Sequence, residues 1–130
     1  MRIAVDASAL LAIYFEEAEG PLFEAFIVGA AHKAMSAVNY WEAMERVRVM
    51  FGKSGVAEME AFMTSLGIVI APVSEAQARL AVEASGRFGK SHSAKLNMGD
   101  CFAYALSKTT QEPLLFKGNA FPQTDVSAAL

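Results

Sequence analysis

Three acids stand where an α/β protein could gather chemistry. Asp6 closes the first apolar run of the chain, Glu42 opens a helical stripe, and Asp100 lies in the first turn of a later helix. Each has a bland alternative. Asp6 would serve equally as a helix cap or loop acid, and Asp100 would stabilise its own helix dipole by ~0.3–1 kcal/mol. Asn39 to Glu42 has the spacing of an N-cap and its reciprocating glutamate, and Glu42 to Arg46 that of a surface ion pair. The combination is more telling than any member. If the first strand is central, all three acids reach one edge of a sheet, where each pair would repel by ~1–4 kcal/mol. A divalent cation relieves that repulsion. Hard oxygen donors without a cysteine or histidine cluster suit Mg²⁺ or Mn²⁺.

The elements that must position these acids follow from apolar patterning. Arg2–Asp6, Ala34–Ala37, Ile68–Ile70 and Leu114–Phe116 read as short strands, with a weak last strand within Asp125–Leu130. Between them lie helical stripes: Leu10, Leu11 and Ile13 after a cap at Ser8, and Leu22, Phe23, Phe26 and Ile27 after Pro21. Further stripes run from Asn39 to Phe51 and from Val56 to Leu66, separated by a turn at Gly52–Gly55. A helix capped by Ser74 runs to about Phe88, and one beginning near Met98 ends before Pro113. Strands alternating with helices predict a single α/β domain over residues 1–130 around a parallel sheet, whose ligands bind beyond the carboxyl ends of the strands.

Composition narrows the choice. With 54% hydrophobic and 19% charged residues, the chain predicts a packed core rather than a disordered segment. One cysteine, Cys101, excludes an intrachain disulfide and a thiolate metal cluster. No apolar run approaches the ~20 residues of a spanning helix, so a cytoplasmic protein without membrane contact is expected. The net charge is −3, yet residues 85–97 carry Arg87, Lys90, His92 and Lys95 and no acid. That segment is either a solvated loop or a phosphate-contacting lip. Neither histidine accompanies a serine or cysteine nucleophile motif, and no Walker loop or GxGxxG is present.

With these residues in hand, the chain resembles the PIN-domain ribonuclease toxins of the VapC family nearly end to end. The carrying segments are Ile3-Ala-Val-Asp6-Ala-Ser8-Ala-Leu-Leu11, Ser36-Ala-Val-Asn39-Tyr-Trp-Glu42, Leu96-Asn97-Met98-Gly99-Asp100 through Leu106, and Pro113-Leu-Leu-Phe-Lys-Gly-Asn119 through Val126. The resemblance implies a Rossmann-like parallel sheet, a metal-dependent endoribonuclease, a homodimer and a VapB-type antitoxin partner. Carried over, the catalytic and metal-site acids are Asp6, Glu42 and Asp100. Ser8, Asn119 and Asp125 are candidates for a second shell or second ion, and Arg87, Lys90, His92 and Lys95 for RNA contacts. Many relatives carry an acid directly before the phenylalanine of the Lys117-Gly118-Asn119 segment, where this chain has Ala120. A carboxylate is therefore missing. The alternative reading is a catalytically weakened PIN-fold protein that binds partners through the helices around Met44–Phe51 and Met59–Met63.

Overall fold

A computed structural model describes all 130 residues. The chain runs β1 (Arg2–Val5), α1 (Ala7–Tyr14), α2 (Gly20–Gly29), β2 (His32–Ser36), α3 (Ala37–Leu66), β3 (Val69–Ala71), α4 (Glu75–Phe88), α5 (Met98–Thr110) and β4 (Leu114–Leu115). The strands form one parallel sheet in the order β3-β2-β1-β4. The connection after β1 leads to one side of it and the last strand is laid on the other. A crevice therefore opens at the carboxyl end of β1, where the strand order reverses. The expected fifth strand is reduced to a single parallel bridge between Leu114 and Ala128.

Alternation along β1 divides the core between the two faces of the sheet. Ile3 and Val5 join Met35 and Leu115 beneath α1, α2 and α3, whereas Ala4 joins Leu114 beneath α4 and α5. Met44, Met59 and Met63 are buried in the first of these cores, so they do not form the outward docking faces that their spacing allowed. The exposed large apolar residues of α3 are Trp41, Val49, Met50 and Phe51. Leu22, expected on the inner face of α2, points outward at 58% exposure, leaving Phe23 and Ile27 to make the contact. β3 lies one residue later than expected and forms an edge of the sheet, which explains why Val69 and Ile70 stay half exposed.

The turn at Gly52 is a sharp kink within the long helix α3, with φ +69° and ψ −153°. That conformation suits glycine, whose missing Cβ removes the steric penalty. Helix α3 begins earlier than its apolar stripe suggests. Ser36 caps it by accepting the Val38 N–H, which leaves Asn39 one turn inside, fully buried. Arg46 makes no ion pair with Glu42; its guanidinium lies over the Phe15 ring, 5.7 Å from the centroid. No helix is long and apolar enough to cross a membrane.

Candidate active site at the carboxyl edge of the sheet

Asp6 follows β1 directly and is the N-cap of α1, so the cap reading and the site reading hold together. Its Oδ2 accepts the Ser8 backbone N–H at 3.0 Å and the Ser8 hydroxyl at 2.5 Å. Ser8 is thus not the cap; its Oγ accepts the Lys117 N–H at 3.0 Å and ties the Asp6 carboxylate to the end of β4. Asp6 is only 5% exposed. Burial, helped by the charges of Asp100 and Glu42 and opposed by the Ser8 hydrogen bonds, pushes its pKa up to about 6.

Glu42 is presented by α3 toward the first turn of α5. Asn39 organises this meeting, because its Nδ2 donates to Glu42 Oε1 at 2.8 Å and to the Gly99 carbonyl at 3.0 Å. The approach is close enough that a Cβ on Gly99 would fall 1.9 Å from Glu42 Oε2. The glycine is therefore a space requirement of the site. Burial raises the Glu42 pKa, opposed by the Asn39 bond and reinforced by Asp100.

Asp100 occupies the third position of α5 in a full capping box. Asn97 Oδ1 accepts the Asp100 N–H at 2.9 Å, and Asp100 Oδ2 accepts the Asn97 N–H at 3.0 Å. Its pKa too is raised by burial. A common pattern links the three acids. Each gives one oxygen to its own supporting group and leaves the other, Asp6 Oδ1, Glu42 Oε2 and Asp100 Oδ1, without a hydrogen bond. As the side chains stand, no three acidic, histidine or cysteine groups form a finished coordination sphere. The donor set nevertheless fits a hard divalent cation: three carboxylates, with Asp100 raising the pKa of both Asp6 and Glu42, uncommitted oxygens and no soft ligand.

The other candidates divide. Asp125 is committed elsewhere: its carboxylate accepts the Tyr104 hydroxyl at 2.6 Å and pairs with Lys108 at 3.3 Å and Arg87 at 3.6 Å. The Tyr104 hydroxyl, with Lys108 and Arg87 behind it, holds Asp125 below the usual carboxylate range, whereas burial and Asp125 push the Tyr104 phenol up to about 12. Arg87, which also lies over the Phe88 ring, belongs to this clasp between α4, α5 and the C-terminal segment. His92 packs edge-on against Phe88, and its Nδ1 accepts the Ala94 N–H. Lys90 and Lys95 remain exposed and free of ion pairs. Asn119 is exposed, and its carbonyl accepts from Gln123. The Ala120 methyl packs on the apolar cluster of α4 and α5. Lys117 reaches away to Glu17 at 2.8 Å and Glu19 at 3.5 Å.

Comparison with known proteins identifies the fold and the family. The PIN domain family matches residues 3–127. The chain is 39% identical over 127 residues to a protein of Mycolicibacterium smegmatis named "Ribonuclease VapC", covering 97% of this chain and 98% of the relative. The chain belongs to the PIN-domain VapC family. Solved structures share its fold. A Mycobacterium tuberculosis VapC toxin described as cleaving the sarcin–ricin loop superposes with TM-score 0.76 at 13% identity over 95% of each chain. A toxin–antitoxin complex from Klebsiella pneumoniae gives TM-score 0.67 at 15% identity over 93% of each chain. Within this PIN domain the sequence pattern pointed to the acids and to Ser8 beside Asp6, but missed the supports of Glu42. Asn39 had the signature of a cap, and Gly99 carried no signal beyond its place before an acid at a helix start.

Proposed function

We propose that this VapC-family chain is a Mg²⁺- or Mn²⁺-dependent endoribonuclease toxin, with Asp6, Glu42 and Asp100 as its catalytic, metal-holding acids. The observation that carries the reading is the convergence of these acids from three separate elements, each with one oxygen left uncommitted. A divalent ion held there supplies positive charge at the scissile phosphate and lowers the pKa of water for in-line attack. The protein's part is positioning. Ser8 fixes Asp6 against β4, Asn39 fixes Glu42 against α5, and the capping box fixes Asp100. The three acids lie outside the groove of about 700 Å³ between α4 and α5, which reaches Asn97 and Met98 beside them. An open acidic mouth of this kind suits a polymer backbone. Lys90 and Lys95 are the free cations of the expected lip, and His92 lies beside them. A relative named as a VapC ribonuclease and a fold neighbour solved as a toxin–antitoxin complex favour a toxin held by a VapB-type antitoxin, and a cytoplasmic homodimer belongs to the same proposal.

The test is RNA cleavage with Mn²⁺, with EDTA, and with Asp100→Asn. Activity is expected to vanish in the latter two; activity that persists in both defeats the metal-dependent reading. Ala120 favours a second reading, in which a missing carboxylate leaves the fold serving mainly to bind its partner. Cleavage absent with Mn²⁺, together with dimerisation in light scattering, would select that reading.

A further inference from the structure

The acidic mouth poses a problem for its own substrate. Three carboxylates face the place where a polyanion must lie, on a chain whose net charge is already −3. Backbone attraction, the usual source of nucleic-acid affinity, is weak there. Part of the affinity must therefore come from contacts that do not depend on charge, and base stacking is the main one available to a single-stranded nucleic acid.

The surface beside the acids carries such contacts. Trp41, the only tryptophan of the chain, directly precedes Glu42 on α3 and is 57% exposed. Met98 directly precedes Gly99 on α5 and is 64% exposed. Because the Glu42 carboxylate rests against Gly99, these two large apolar side chains adjoin the two segments that meet at one site acid. Neither is needed by the cores, which close without them. A tryptophan left open to water forgoes a large burial gain, and a flat partner restores it. Met98 also borders the groove between α4 and α5 whose wall carries Lys90, a cation free of ion pairs and suited to the next phosphate.

We propose that Trp41, assisted by Met98, is the stacking platform for the nucleobase next to the scissile phosphate. The assignment rests on the ribonuclease reading above. It makes Trp41 a determinant of substrate binding, with a preference for unpaired nucleotides whose bases can turn outward onto the ring.

The lone tryptophan reports on itself. A fluorescein-labelled single-stranded RNA 12-mer of mixed sequence, titrated in EDTA so that it stays intact, should quench protein fluorescence with the same midpoint as its own anisotropy change. An abasic version of the strand should give little quenching. Trp41→Ala should weaken binding by roughly 5- to 100-fold and raise KM more than it lowers kcat, and Trp41→Phe should restore most of the loss. RNA binding by anisotropy with unchanged fluorescence, or equal binding by the alanine variant, overturns the platform while leaving the ribonuclease reading intact. No binding of any RNA, with or without Mn²⁺, defeats both. A fluorescence shift that follows protein concentration without RNA shows instead that a second copy covers Trp41, which also overturns the proposal.

Discussion

Replacing Asp6 with asparagine is expected to stabilise the protein while ending its chemistry. Burial, with added charge from Asp100 and Glu42, moves the Asp6 pKa from 3.8 to about 6. In the unfolded chain the same carboxylate titrates near its ordinary value, so the folded state binds more protons between those two pH values. Stability therefore falls as pH rises through that window: the contribution is fully present below the unfolded pKa and is lost above the folded one. At ~1.4 kcal/mol per pH unit, ionised Asp6 costs the fold about 3 kcal/mol at neutral pH. Asparagine carries no charge, yet its amide oxygen can still accept the Ser8 N–H and hydroxyl where Oδ2 does now. Urea unfolding across roughly pH 4 to 8 measures the difference. The variant should gain about 2–3 kcal/mol near neutrality, an advantage that fades toward pH 4. Mn²⁺ should stabilise the parent protein in the same pH range and the variant much less. A variant no more stable than its parent at neutral pH, or a gain that ignores pH, refutes the reasoning.

Three further expectations follow from the site and its supports. Gly99→Ala should keep or raise stability, since alanine favours a helix by ~1 kcal/mol, while its Cβ displaces Glu42 and cuts RNA cleavage by ~10-fold or more; full activity would show that Glu42 need not rest there. Ala120→Asp should tighten Mn²⁺ binding and speed cleavage by ~10-fold, against a small loss of stability because the methyl now packs on an apolar cluster; a Mn²⁺ titration unchanged by the substitution would point to Asn119 as the next position to alter. Tyr104→Phe removes the donor to Asp125 and should cost about 1–2 kcal/mol, with faster hydrogen exchange over residues 125–130; unchanged protection would mean that the bridge at Ala128 alone holds the segment.

Much of this arrangement was legible in the residues. β1 and β4 declare themselves because strands buried on both faces are continuous apolar runs, and the acids stand at the element junctions where a parallel sheet opens. The errors came where two local signals were equally good and a distant contact chose between them. Ser36 and Asn39 are both strong caps; Asn39 was drawn into the core by the Gly99 carbonyl, sixty residues away in sequence. Asp125 looked free to serve the acids, but Tyr104, Lys108 and Arg87 claim it through folding of the C-terminal segment onto α4 and α5. Leu22 fitted a helical stripe whose width is set by how squarely α2 meets its neighbours, and the pattern alone carries no such angle.

The crowding of acids has an evolutionary consequence. In most enzymes, substitutions that destroy activity also loosen the fold, so inactive copies are cleared by the machinery that removes misfolded chains. Here an acid-to-amide change at Asp6 is expected to disarm the protein and leave it sturdier. Lineages burdened by such a nuclease thus have an easy route to silence it, and the silenced product persists as a well-made protein with its outer surfaces intact. Inactive descendants of this fold should accumulate as durable binding proteins rather than disappear.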